Sequence, residues 1–314
     1  MLAAGMLGTA FVPSALAWLI YATYGIVGGF GVGAGYNAII SAAQKWFPDN
    51  RGLATGITVC AFGFSTVVFA PLIEGLIGAL GVRNTFLALS AAFFVVVLSL
   101  FRMIKLPAES GQPGAPSEAL MAKKQYGMGE AVKTKEFYFI TLSLMFATAA
   151  FFILNPSIKS LAVERGFSSS AATATVMLIG VSNALGRLGT PMLSDKIGRE
   201  NATIAVALAT AACALLLSFA KGFLFVCAVG VIAFCYGGYS GIYPVLTADY
   251  FGIKNVGSNY GAVMVGFAIS ALTFPMAVGL IGNQTLRFAV LAAMAGVAAA
   301  LVLLLAMAKK KKEA

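Results

Sequence analysis

The 314 residues are 60% hydrophobic and only 10% charged, with a mean hydropathy of +0.92, whereas a soluble domain runs near ~45–50% apolar and ~25% charged. Lys and Arg outnumber Asp and Glu by 21 to 11, but the basic residues stand in short gaps between apolar runs or in the tail Lys309–Lys312, which argues against nucleic acid and for a chain threaded through a bilayer. With no His, and with Cys60, Cys213, Cys227 and Cys235 all inside apolar runs and no C-x-x-C pair, a zinc site and a disulfide framework are excluded, and neither metal nor cofactor is expected.

Along the chain, the opening run from Met1 to about Val12 is too short to cross a membrane and is closed by Pro13-Ser14. No basic region precedes it, so it does not read as a cleavable signal. Nine full spans are expected at about 15–44, 52–78, 84–104, 137–158, 171–193, 201–220, 223–245, 257–282 and 285–308. The 15–44 span carries Tyr21, Tyr24, Tyr36 and Asn37, candidates for a polar cavity, and Gly25, Gly29 and Gly33 at steps of four, which reads as close helix packing. Glu74, near the outer end of its span, reads as a wet interface residue, with proton carriage as the other reading.

A polar stretch at 106–135, with Lys123, Lys124, Lys133 and Lys135, divides the chain into 1–105 and 136–314. Within the 171–193 span lies one cation, Arg187, roughly 12 Å of helix from the basic end of that span. A guanidinium at that depth costs ~2.5 kcal/mol or more unless a wet cavity or a partner meets it. Asn183 precedes it by one helical turn, on the same face. The two together suit a planar carboxylate, because the guanidinium fork matches two oxygens. On the 223–245 span Tyr236, Tyr239 and Tyr243 form one helical stripe, either packing or cavity wall.

Alternate gaps carry fifteen Lys and Arg on one side and five on the other, which places the linker and the C-terminal tail in the cytoplasm. An internal repeat recurs at 204 residues: Pro71-x-x-x-Gly75-Leu76-Ile77-Gly78 returns as Pro275-x-x-x-Gly279-Leu280-Ile281-Gly282, and Phe47 aligns with Phe251. Two homologous halves in parallel, joined by a basic linker, are the plan of a large class of transporters. The offset sets the expected start of the first half ~70 residues before Met1, so two spans and part of a third are expected to be missing.

At the cytoplasmic end of the Arg187 span stands Gly189-Thr190-Pro191-Met192-Leu193-Ser194-Asp195-Lys196-Ile197-Gly198-Arg199. This resembles the G-x-x-x-x-D-[KR]-x-G-R signature of the major facilitator superfamily. Lys45-Trp46-Phe47-Pro48-Asp49-Asn50-Arg51-Gly52 and Tyr243-Pro244-x-x-Thr247-Ala248-Asp249-Tyr250-Phe251-Gly252, with Asn259-Tyr260-Gly261, look like segments of its oxalate/formate antiporter and monocarboxylate carrier branch. The resemblance covers essentially the whole chain. It implies an all-α polytopic membrane protein of two pseudo-symmetric helical bundles, the first incomplete, and a multi-pass protein of the plasma membrane.

It also implies roles. Gly189, Asp195, Lys196, Gly198 and Arg199 would form a conformational latch rather than a substrate site, with Asp195 meeting a helix N-terminus or a basic partner. Arg187 would bind a substrate carboxylate, with Asn183, Tyr236, Tyr239, Phe267 and Tyr36 around it. Oxalate carriers that this chain resembles have a second cation, a lysine, where Phe267 stands here, so a monoanion such as lactate, pyruvate, formate or acetate is expected over a dicarboxylate. The expected partners are a small organic anion and the lipid bilayer, with protons as a candidate coupling ion, no nucleic acid, and a monomeric state. A membrane-embedded enzyme would need a convergent His, Cys or carboxylate set within the spans, and the sequence offers only Arg187 and Glu74 there.

Overall fold

The computed structural model describes residues 1–102 and 124–313, and among them it is helical with no strand. Lys105, Lys123 and most of the 106–135 linker lie outside the described residues. Among the described residues eight helices are long and apolar enough to cross a membrane, one fewer than the nine expected spans, because Pro71–Leu100 alone stands for the expected 52–78 and 84–104. The described residues form two compact units, 1–46 with 64–102, and 47–63 with 124–313.

In the first unit, α1 (Leu2–Ala10) packs on a π-helical segment, Tyr21–Gly28, that runs into α2 (Gly29–Trp46). The approach is close because Gly5 has no side chain. A Cβ there would lie 2.6 Å from the Gly28 amide nitrogen and 2.7 Å from the Thr23 carbonyl. The Thr9 and Thr23 hydroxyls meet at 2.9 Å beside it. Close packing therefore rests on Gly5 and Gly31, not on the expected Gly25, Gly29 and Gly33. Glycine spacing marks where helices could approach, and the partner's path decides where they do.

The helix α3 (Arg51–Leu100) runs 50 residues, with Gly81 non-helical at φ 75° and ψ 166°. Unbroken, it would be ~75 Å long. Phe69 and Phe93, placed symmetrically about Gly81, stack with centroids 6.0 Å apart, so the chain doubles back there. The expected 52–78 and 84–104 spans are thus the two arms of one hairpin.

In the second unit, α4 (Met128–Ala131) precedes α5 (Lys135–Leu154), and a 3-10 turn at Asn155–Ser157 leads into α6 (Ile158–Glu164). Pro156, lacking an amide hydrogen, sits in that turn, and the helical path continues past the apolar run. Then follow α7 (Ser169–Ile197), α8 (Arg199–Leu216), α9 (Gly222–Phe251), α10 (Val256–Gly279) and α11 (Gln284–Glu313). Each overlaps one of the last five expected spans, although α8 ends at Leu216 and α10 at Gly279, short of the expected 220 and 282. The core gathers Phe225, Ile232, Leu217, Leu291 and Ile179. Arg165 closes one end of it, donating to the Ala220 carbonyl at 2.8 Å and the Leu217 carbonyl at 2.7 Å. Its guanidinium lies over the Phe225 ring at 4.5 Å, so it satisfies orphan carbonyls at the end of α8 while staying packed. Burial pulls the Arg165 guanidinium below its ordinary range, with Glu164 beside it opposing the shift.

Candidate functional site

Arg187 is 8% exposed within α7. Its Nε donates to Asn183 Oδ1 at 3.0 Å, as the one-turn spacing requires. One terminal nitrogen donates to the Val59 backbone carbonyl at 3.4 Å, and the guanidinium stands over the Phe62 ring at 5.8 Å. Among the described residues no carboxylate pairs with it. A buried cation held by one amide oxygen, one long backbone bond and a ring face keeps donor capacity for an anion.

Helix α9 fixes the site from the other side. A Cβ at Gly237 would collide with the Asn183 carbonyl, and one at Gly186 with the Phe234 carbonyl. The two backbones therefore touch directly along the turn that carries Asn183 and Arg187. From α9, Tyr236 lies flat on Phe151, with ring centroids 3.9 Å apart and planes at 10°. Phe152 meets Tyr236 edge-on at 5.7 Å, and Phe267 meets Phe152 edge-on at 4.9 Å.

The other sequence candidates fall elsewhere. The Tyr239 hydroxyl is bonded to Thr210 Oγ1 at 3.1 Å, and Tyr243 donates to Ser143 at 3.0 Å, both at full burial in the second unit. The tyrosine stripe thus splits: Tyr236 joins the aromatic group and the other two tie helices together. Tyr36 is half-buried on α2 in the first unit, and Glu74 is exposed on α3. Sequence reasoning missed Val59, Phe62, Phe151 and Phe152. The 204-residue repeat held a signal for one of them, because it maps Phe267 onto Gly63, next to Phe62.

A second cluster lies at the α7–α8 turn, where Gly198 takes φ 89°, a region that a side chain disfavours. Asp195 accepts from the Gly52 amide at 3.2 Å and the Leu53 amide at 3.1 Å, so it caps the N-terminus of α3. Arg199 pairs with Asp195 and also with Asp249 at 3.4 Å, while Arg51 reaches Asp249 at 2.5 Å. Lys196 is exposed, and Gly189 is half-buried beside the Phe234 ring. The next residues repeat the cross-link, since Tyr250 donates to Glu200 at 3.0 Å and Lys309 pairs with Glu200 at 2.9 Å. Arg199-Glu200 and Asp249-Tyr250 are thus two rungs between α8 and α9. Of the members, Glu200 and Lys309 carry no signal beyond being charges near span ends, whereas Arg51 belongs to the Lys45–Gly52 segment.

Comparison with known proteins adds the following. A family model described as Major Facilitator Superfamily matches residues 1–275. The oxalate:formate antiporter of Oxalobacter formigenes is 27% identical over 246 residues, 77% of this chain and 58% of that protein. Apicoplast pyruvate carrier 1 of Toxoplasma gondii is 24% identical over 340 residues, covering 85% of this chain and 62% of that protein. The chain thus spans about three fifths of the length of these relatives. The crystal structure of the E. coli fucose:proton symporter FucP is alike in fold, with a TM-score of 0.68 at 15% identity over 97% of this chain and 81% of that one.

Proposed function

The chain belongs to the Major Facilitator Superfamily, and from that premise we propose that it is a secondary carrier of small carboxylates, working by alternating access, with Arg187 as the carboxylate-binding residue. The observation that carries the reading is a guanidinium, 8% exposed, with no carboxylate paired to it among the described residues. Asn183 holds Arg187 from below, and Tyr236, Phe151, Phe152 and Phe267 supply an aromatic surface for the small apolar part of the substrate. One cation neutralises one charge, which favours a monocarboxylate such as lactate, pyruvate, formate or acetate. A transporter rather than an enzyme is supported by the family itself.

An oxalate/formate-type exchanger is the second reading, favoured by the antiporter among the relatives. The two differ at Phe267, which offers no charge to a second carboxylate. We place the protein in the plasma membrane, as a monomer, with the linker and C-terminus cytoplasmic on the Lys/Arg bias, and with protons as the candidate coupling ion. The halves are read as 1–105 and 136–314, joined by 106–135. In the site itself, stacking on Phe151 favours Tyr236 among the three stripe tyrosines.

The test is binding of labelled pyruvate, lactate, formate, acetate and oxalate to the purified protein, wild type and Arg187→Ala. Saturable binding of a monocarboxylate that Arg187→Ala abolishes supports the assignment. Equal binding by both proteins sinks it.

A further inference from the structure

Residues 124–127, the described end of the linker, are seated on the turn between α9 and α10. The Tyr126 amide donates to the Phe251 carbonyl at 2.9 Å, and the Lys254 amide donates to Gln125 Oε1 at 3.1 Å. The Tyr126 carbonyl accepts two side-chain amides, Asn255 at 3.0 Å and Asn259 at 3.1 Å. The Tyr126 ring meets Phe251 edge-on at 5.7 Å. Gly252 serves the seat twice over. Its φ is 83°, and a Cβ there would collide with the Gln125 side chain.

Asn259 is 0% exposed, and its Oδ1 has no partner among the described residues. Its side-chain nitrogen is spent on the Tyr126 carbonyl. The seated turn begins two residues after Asp249, which pairs with Arg51 and Arg199. A cavity of about 150 Å³ lies between, lined by Arg51, Lys124, Tyr126, Asp249, Tyr250 and Gly252. The linker end therefore walls one side of the Arg51–Asp249 pair, and a pair with less water around it is held more strongly.

We propose that Gln125–Tyr126 is a strap, and Asn259 its clamp, that positions Asp249 for its ion pairs. Asn259 is a positioning residue here, acting through Tyr126 and the turn. The route runs from the strap to the Phe251 turn and the cavity wall it shares with Asp249, then by contact from Asp249 to Arg199 to Asp195, and ends on the Gly52 and Leu53 amides. The assignment rests on reading the Asp195–Asp249 network as a conformational latch, and the experiment separates the two.

Residue-level hydrogen–deuterium exchange on the purified full chain reads the Gly52 and Leu53 amides directly, with no substrate needed. Asn259→Ala should speed their exchange roughly fivefold, and Gln125→Ala with Tyr126→Ala more than that. Tyr126→Phe, which keeps the ring and the backbone bonds, should match wild type. A merely structural seat would change only 125–126 and 251–259. If the strap variants leave Gly52 and Leu53 unchanged while Asp249→Asn speeds them, the strap assignment is overturned and the latch stands. If strap variants act but Asp249→Asn does not, the proposed route through Asp249 is overturned. If neither acts, both readings fall. The strap double variant alters no spanning helix, so it remains informative should Asn259→Ala fail to fold.

Discussion

Arg187 is a charge with more donors than partners. The Asn183 bond at 3.0 Å is well formed, while the Val59 bond at 3.4 Å is long for a guanidinium. A carboxylate entering the site has only that weaker bond to displace. Two charge-assisted hydrogen bonds should contribute about 1.5–3 kcal/mol each, so Arg187→Ala is expected to weaken monocarboxylate binding more than tenfold in equilibrium binding to the purified protein. Arg187→Lys should fail nearly as badly, because an ammonium offers a point charge in place of a planar fork. Phe267 faces the same aromatic group, and Phe267→Lys adds a cation to it. The expected outcome is a shift of preference toward oxalate over pyruvate in competition binding. An unchanged preference would count against Phe267 as the residue that selects charge.

Helix α7 works because α9 presents almost no side chain to it. At Gly237 even a methyl group would overlap the Asn183 carbonyl. Overpacking of this kind costs about 1–3 kcal/mol, since either the helices separate or the side chains leave their rotamers. Gly237→Ala should therefore lower the thermal unfolding temperature in detergent and also weaken carboxylate binding, because Asn183 moves with its backbone. Tyr239→Phe is the contrast. It removes the Thr210 bond at 3.1 Å and leaves Thr210 still bonded to the Val206 carbonyl. A stability loss of about 1 kcal/mol is expected, with carboxylate affinity unchanged. A large loss of affinity in Tyr239→Phe would return that tyrosine to the site.

The charged ends of helices α7, α8, α9 and α11 are joined at one place by Asp195, Arg199, Glu200, Asp249 and Lys309. Removing one partner of such a network leaves the others uncompensated. The double change Asp249→Asn with Arg51→Gln should thus destabilise the protein by less than the sum of the two single changes, and thermal unfolding of the single and double variants measures that coupling. Much at this scale was legible in sequence. Apolar runs located the helices because a bilayer core of fixed thickness admits only long apolar segments with their backbone bonds closed internally. Arg187 stood out because a charge deep within an apolar span is costly and rarely present without a use, and the Asp195–Arg199 segment stood out by its spacing at the end of that span. The helix ends were less legible, as α9 runs through Asp249 and Tyr250 to Phe251 beyond its apolar run, and polarity does not end a helix that its neighbours hold. What the tertiary structure alone decided is which atoms meet. Three tyrosines on one helical stripe are equivalent by spacing, yet Tyr236 stacks on Phe151 while Tyr239 turns to Thr210. The reason is that periodicity fixes the face of a helix relative to its own axis, whereas contact depends on where the neighbouring helices pass, and that is set by packing between segments far apart in the chain.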